Sequence, residues 1–397
     1  MKVATECVRL DHDDEFGAVS PPIYQTATFR QTSATEFGEY DYSRSGNPTR
    51  SQLEKSIASL EKGKHGLAFA SGMAAISAVT RLLNAGDEIL ASDDLYGGSV
   101  RLLEQVLPRQ GIMVRYVDTT EVANVASALS NRTKLLLIET PTNPFLRISD
   151  IEGLAEIARE RGVLLAVDNT MLSPCLQNPL QLGADIVIHS ATKFLSGHSD
   201  VTAGAIVTND AEIHLQLAFV QNAEGNALAP FDSWLLLRGL KTLALRVERQ
   251  SDSAKKVAEF ISRQALVSGV YYPGLDGHAG TEVHRRQARG GGSVISFTTG
   301  DPEVSKRIVE ARRLFSIAVS FGSVNSTISL PCHMSHASIP DHLKDELGPP
   351  QDLIRLSVGI EDVDDLIEEL DAAFRAAQPA RSVAQSSSAR VATIGEF

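Results

Sequence analysis

Four apolar runs in the chain each end in a polar stretch that could do chemistry. Ser71-Gly72-Met73 follows the run Leu67 to Ala70, and Glu139-Thr140-Pro141-Thr142-Asn143-Pro144 follows Lys134 to Ile138. Asp168-Asn169 follows Val163 to Val167, and Ser190-Ala191-Thr192-Lys193 follows Asp185 to His189. If the runs are neighbouring strands of a doubly wound sheet, their carboxyl ends share one rim, where such sheets bind ligands. A helix opening at Gly72 offers free backbone N–H groups to a phosphate. Ser190 and Thr192 can add hydroxyl donors to the same anion. The Lys193 amine can condense with an aldehyde. Asp168 can pair with a protonated pyridine nitrogen. A phosphate, an aldehyde and a pyridinium on one small molecule describe pyridoxal phosphate, whose chemistry needs a lysine and an acidic partner.

Each residue alone has an ordinary structural use. Ser-Gly-Met at a helix start is a tight turn, a strand-end Asp is a helix cap, and a Lys after a strand is solvated. Only their conjunction, in this order and spacing, is specific. Other residues invite a reading and carry less. His333-x-x-His336 beside Cys332 lacks a second Cys or acidic ligand at metal-site spacing. Gly290-Gly291-Gly292 precedes a strand rather than a helix, which favours a turn over a phosphate cradle. Cys175 reads as a small buried hydrophobe, and Trp234 as core or interface. His198 and Asp200 are left without a role. No G-x-G-x-x-G follows the first strand, which disfavours a nucleotide-binding dehydrogenase.

The elements that must position these groups alternate. Ser51 to Glu61, a helix from Gly72, and Ile151 to Arg161 are helical, interleaved with strands that add Glu88 to Ala91 to the four above. Continuous apolar strands between helices predict an α/β domain with a mostly parallel sheet covered on both faces. The first fifty residues are polar and rich in turn formers, and read as an arm that contacts a neighbouring subunit. Trp234 to Gln264 reads as one long helix. Strands at Ser293 to Phe297 and Ile354 to Val358 and a helix at Glu361 to Ala376 complete a smaller C-terminal α/β domain. The expected organisation is an arm over 1–48, a first domain over 49–233, a second over 234–377 and a disordered tail over 378–397.

Composition excludes several classes. The 397 residues are 43% hydrophobic and 22% charged, as in ordinary soluble globular proteins. With 37 basic and 49 acidic residues the net charge is -12, so nucleic acid or an anionic membrane is not the expected main partner. Three widely spaced cysteines, Cys7, Cys175 and Cys332, predict reduced thiols in a reducing compartment. The apolar runs are too short to span a membrane. The stretch MKVATECVRLDHDDEF has neither an apolar signal core nor transit-peptide composition. A soluble protein is expected, in the cytoplasm, or in the plastid stroma of a plant or alga once a transit peptide is removed.

These stretches resemble the Cys/Met-metabolism family of pyridoxal-phosphate enzymes. The resemblance is carried by YDYSRSGNPTR (40–50), FASGMAA (69–75), DDLYGG (93–98), IETPTNP (138–144), VDNT (167–170), HSATKFLSGHSD (189–200) and RLSVGIED (355–362). It extends from about Glu6 to Phe374. QNAEGNALAPFDSWLLLRGLKTLALRVE (221–248) and AVSFGSVNSTISLPCHMSHASIP (318–340) are similar to the plant-type cystathionine β-lyase subgroup. The resemblance implies the aspartate-aminotransferase-like fold (fold type I), with pyridoxal phosphate held by the 49–233 domain. It implies a carbon–sulfur lyase that β-eliminates cystathionine to homocysteine, pyruvate and ammonia in methionine biosynthesis. The alternative is a γ-acting member: a γ-synthase, a γ-lyase or a sulfhydrylase.

Carried over position by position, the resemblance makes Lys193 the imine-forming lysine and Asp168 the partner of the ring nitrogen. Gly72, Met73, Ser190 and Thr192 become the phosphate cradle. Tyr96 becomes the aromatic that stacks on the ring near the substrate. Tyr42 and Arg44 become a pair reaching the phosphate from a neighbouring subunit, which implies a homo-oligomer, expected to be a tetramer built as a dimer of dimers. Asn143, Ser320 and Arg355 become the groups around the substrate carboxylate. Asn325-Ser326-Thr327 departs from the Lys-Ser-Leu expected of the plant-type enzymes, and Ser43 stands where Thr is common. Val319 disfavours a typical cystathionine γ-lyase but also suits a methionine γ-lyase.

Overall fold

The computed structural model describes residues 1–9, 14–311 and 313–378. The tail expected over 378–397 lies, apart from Gln378, outside the described residues. Seven strands form the larger sheet: β1 (His65–Phe69), β2 (Glu88–Ser92), β3 (Met113–Val117), β4 (Thr133–Glu139), β5 (Leu164–Asp168), β6 (Ile186–His189) and β7 (Gly204–Thr208). Their order is β1-β7-β6-β5-β4-β2-β3. Neighbours from β3 across to β6 pair in parallel, whereas β7 runs antiparallel to both β6 and β1. The reversal of β7 leaves β1 running with β6, so the carboxyl ends of β1, β2, β4, β5 and β6 share one rim. Ile89 to Ala91, Leu135 to Ile138, Leu165 to Val167 and Ile186 to Ile188 are buried throughout, as strands covered by helices on both faces must be.

The sequence reading singled out neither β3 nor β7. β3 is an edge strand carrying Arg115 and Tyr116 among its apolar residues, and β7 offers only the short run Ala205-Ile206-Val207 between a glycine and a threonine. The helices begin where their caps dictate. Asn47 accepts the Thr49 N–H ahead of Pro48–Leu60, and Asp150 accepts from Gly153 ahead of Ile151–Arg161. Gly162, in the left-handed region, ends the latter.

A second sheet contains β8 (Gly269–Tyr271), β9 (Val294–Thr298), β10 (Ser316–Ile317), β11 (Thr327–Ser329) and β12 (Ile354–Ser357), in the order β10-β11-β12-β9-β8. It packs on the helices Pro302–Glu310 and Val363–Ala377 through a core that includes Ile295, Phe297, Leu356 and Phe374.

Two expectations need correction. The helix read over Trp234 to Gln264 is two, Pro230–Leu240 and Leu243–Ile261. The Gly239 carbonyl accepts from Thr242 N–H and from Arg246 Nη2 at 2.9 Å, so it is withdrawn from a continuing helix. Gly239 also lies so close to the chain at Ser196 that a Cβ would sit 2.5 Å from the Ser196 carbonyl oxygen. This contact depends on the fold and leaves no trace in periodicity. The arm, read as a polar, turn-rich stretch, opens on a helix over Val3–Val8 whose Cys7 enters the same core as Cys175. Trp234 Nε1 donates to the Pro21 carbonyl at 3.1 Å, which ties the arm to the helix Pro230–Leu240.

Candidate active site

A cavity of about 410 Å³ opens at the rim, between the larger sheet and the second one, within the range expected of small-ligand sites. Ser71, Gly72, Met73, Tyr96, Asn143, Asp168, Ser190, Thr192, Lys193, Ser320 and Arg355 all line it. Every site residue read from the sequence reaches this one space except Tyr42 and Arg44. Those two lie elsewhere on the surface, where Arg44 sits 5.2 Å over the Tyr42 ring and donates to Asn222 Oδ1 at 3.1 Å. Tyr42 is 42% exposed.

One wall is the start of the helix Gly72–Thr80. Ser71 caps it by accepting the Ala74 N–H at 3.0 Å. Gly72 faces Ser190 so closely that an added Cβ would meet Ser190 Cβ at 2.8 Å. Only glycine therefore keeps the concave corner between helix start and Ser190 open. Gly72→Ala is expected to close that corner, raising the dissociation constant for a phosphate-bearing cofactor at least tenfold by fluorescence or absorbance titration. Thr192 Oγ1 both accepts from Ala203 N–H and donates to the Ala203 carbonyl, so its hydroxyl is engaged by protein.

The floor is Asp168. Its Oδ1 accepts the Thr170 N–H at 3.0 Å and the Thr170 hydroxyl. Burial raises its carboxyl above the usual range, while the Thr170 hydrogen bonds and nearby His189 and Lys193 oppose that rise. Thr170 Oγ1 also accepts Ser190 N–H at 2.8 Å, so one threonine links the two strand ends.

Lys193 Nζ donates to Ser320 Oγ at 2.6 Å and stands 5.2 Å over the Phe321 ring. Burial, and then the positive charge of Arg355, push its ammonium down to about 8, with Asp168 pulling the other way. In cofactor-free protein an acylating amine reagent should therefore modify Lys193 with a midpoint near pH 8. An ordinary lysine responds near about 10.4. Peptide mass spectrometry across a pH series reads this, and a midpoint above 10 contradicts it.

The opposite wall belongs to the second sheet. Arg355 on β12 is 2% exposed. Its Nη1 donates to Asn143 Oδ1 at 2.8 Å and its Nη2 to the Ser320 carbonyl at 3.0 Å. Burial pulls its guanidinium down to about 10, still charged at neutral pH. Ser320 holds a left-handed backbone (φ 82°), uncommon for a residue with a Cβ. Two residues on, a Cβ on Gly322 would lie 2.9 Å from Phe194 N, so this loop presses directly on the Lys193 segment.

Tyr96 precedes the helix Gly97–Gln105, and its ring lies against Gly98 close to the Met73 sulfur. Its N–H donates to Glu139 Oε2 at 3.3 Å.

Glu139, Thr170, Arg101, Phe321 and Ser335 also line the cavity and had no expected role. Glu139 and Thr170 were visible as members of the strand-end stretches IETPTNP and VDNT. Arg101 and Phe321 carried no such signal. His336 Nε2 bonds the Asn143 carbonyl at 3.0 Å, and its Nδ1 meets Ser335 Oγ at 2.9 Å, so both ring nitrogens are engaged within the fold. His198 and Asp200 turn to the backbone and hydroxyl of Ser196 and do not line the cavity.

The donor set suits pyridoxal phosphate: an open corner at a helix start for the phosphate, an amine of lowered basicity, and a hydrogen-bonded carboxyl on the floor. Together with the mostly parallel sheet, it defines a pyridoxal-phosphate-dependent enzyme of the α/β class. The chain belongs to the Cys/Met metabolism PLP-dependent enzyme family, whose profile matches residues 4–375. It is 54% identical over 374 residues to the chloroplastic cystathionine beta-lyase of Arabidopsis thaliana, covering 94% of this chain and 81% of that protein. It is 51% identical to the cystathionine beta-lyase of Neurospora crassa, with the same coverage. The structure of cystathionine gamma-lyase from Lactobacillus plantarum complexed with L-serine matches at a TM-score of 0.93 and 42% identity, covering 95% of this chain and all of that one. Among the described residues no helix is long and apolar enough to cross a membrane.

Proposed function

We propose that the protein is a carbon–sulfur lyase that cleaves L-cystathionine by β-elimination to homocysteine, pyruvate and ammonia, in methionine biosynthesis. The observation that carries the reading is the Lys193 amine, held at 2.6 Å from Ser320 Oγ in a cavity floored by Asp168 and walled by Arg355. Similarity to the Arabidopsis and Neurospora β-lyases supports the choice of reaction.

When bound, pyridoxal phosphate supplies an aldehyde that captures amines and a ring that accepts the electron pair left at an amino acid's α-carbon. The helix start at Gly72, with Met73 and Ser190, would hold the phosphate, with Thr192 lining the same corner and Tyr96 beside the ring. The Asp168 carboxylate would keep a proton on the ring nitrogen. Arg355, steadied by Asn143 and the Ser320 carbonyl, takes the substrate carboxylate in a two-pronged grip. That grip sets the Cα–H bond towards Lys193, a positioning effect. The Lys193 Nζ, with its lowered basicity, removes the α-proton at neutral pH. Release of the Cβ–sulfur bond then frees homocysteine, and water converts the three-carbon remainder to pyruvate and ammonia.

Tyr42 and Arg44 reach the phosphate of a neighbouring subunit in this reading, within a homotetramer built from two dimers. Their exposure on the single chain, away from its own cavity, supports that role. The free thiols of Cys7, Cys175 and Cys332 support a reducing compartment, cytoplasm or plastid stroma.

Incubation with L-cystathionine and identification of the keto acid tests the reaction. Pyruvate with homocysteine is expected. Production of 2-oxobutyrate with cysteine would replace β-cleavage with γ-cleavage.

A further inference from the structure

Glu139 ends β4, and Asp168, its register partner, ends β5. Both line the same cavity. Glu139 is only 4% exposed. Two carboxyls on adjacent strand ends, withdrawn from bulk water, are driven towards different protonation states. Hydrogen bonds decide which keeps the charge. Asp168 accepts from the Thr170 N–H and hydroxyl, and Lys193 and His189 lie near enough to favour its anion. Glu139 accepts only the Tyr96 N–H among the described residues, at 3.3 Å. The charged groups facing Glu139 are Asp168 from β5, Asp94 from the segment after β2, and Arg355 from β12. Two of the three repel an anion, and the hydrogen bonds of Arg355 go to Asn143 and the Ser320 carbonyl rather than to Glu139. Burial, followed by these acidic neighbours, lifts the Glu139 carboxyl well above its ordinary range.

We propose that Glu139 is a positioning residue held as the neutral acid, leaving Asp168 as the negative charge at the cavity floor while Glu139 fixes the Tyr96 turn. The two strand-end carboxyls thereby divide their work. A second negative charge beside Asp168 would compete with Asp168 for the ring-nitrogen proton. A lost anchor on Tyr96 N–H would free the aromatic ring beside Met73. The inference rests on the reading of Asp168 as the partner of the ring nitrogen.

Thermal melting of cofactor-free protein against pH tests the protonation state directly. A carboxyl whose folded pKa is raised contributes its full stability below its unfolded value, about 4.3. That contribution is lost as pH rises through the folded value. Glutamine at 139 is neutral at every pH. Glu139→Gln apoprotein should therefore melt above wild type at pH 8, with the gap closing towards pH 5. Titration with pyridoxal phosphate should find Glu139→Gln within twofold of wild type. Glu139→Ala, with Tyr96 unheld, should bind at least tenfold more weakly and with a shifted visible band. Glu139→Gln melting below wild type at pH 8, or losing cofactor affinity as Glu139→Ala does, would mean an anion at 139 and overturn the proposal. Wild-type protein that takes up no pyridoxal phosphate would instead sink the reading of Asp168 and Lys193, while the melting comparison would still report on Glu139.

Discussion

Lys193→Ala is expected to abolish the visible absorption that a lysine-bound cofactor carries and to lower turnover of cystathionine about 10⁴-fold. Two losses combine. Removing a general base costs roughly 10²–10⁴-fold on its own, and the covalent anchor of the cofactor goes with it. No other lysine lines the cavity among the described residues. Arg101 and Arg355 cannot stand in, because a guanidinium is too basic to act as nucleophile or base at neutral pH. Gly72, Ser190 and Asp168 remain in place, so the variant should still take up the cofactor, without the lysine-bound band. An absorption spectrum and a pyruvate assay on one preparation decide the matter. A variant that keeps both band and turnover would remove Lys193 from the chemistry.

Arg355→Lys is expected to do the converse: keep the band and lose the substrate. The arginine donates from separate nitrogens, Nη1 to Asn143 and Nη2 to the Ser320 carbonyl. An ammonium cannot span both acceptors and still present a flat fork to a carboxylate. Disturbing a buried, hydrogen-bonded charge of this kind costs about 2–5 kcal/mol. The expected fall in kcat/KM is therefore about 30-fold to about 5,000-fold. Arg355 makes no bond to Lys193 Nζ itself, whose hydrogen bond goes to Ser320 Oγ, and a lysine at 355 keeps the positive charge, so the spectrum should hold. Loss of the band with the activity would place Arg355 in cofactor binding instead.

The half of the site on the larger sheet was legible because its residues are local signals. Gly72, Asp168, Ser190 and Lys193 each follow an apolar run, and strand direction in an α/β sheet sends those ends to one rim. The other half was not legible from spacing. Asn143, Ser320 and Arg355 were placed by resemblance, since no periodicity links residue 143 to 320 and 355. Their meeting depends on β12 facing the rim and on a left-handed Ser320 bringing its carbonyl to Arg355. Glu139 illustrates the same divide. It closes an apolar run as Asp168 does, yet only the register of β4 against β5 sets the two side by side. The division of Trp234 to Gln264 into two helices has a similar origin, because Ser196 and Arg246 act on Gly239 from outside the helix.

The sequence by itself determined β1, β2, β4, β5 and β6, the helix start at Gly72 and the reactive types at the rim, because capping, apolar runs and strand direction act over a few residues. The tertiary structure alone decided how far the Lys193 basicity falls, which carboxyl is better placed to keep its charge, and which guanidinium closes the far wall. Those outcomes follow from burial and charge at a few ångströms between segments far apart in the chain, such as Asn143 and Arg355, 212 residues apart, and distance through space is not encoded in any local pattern.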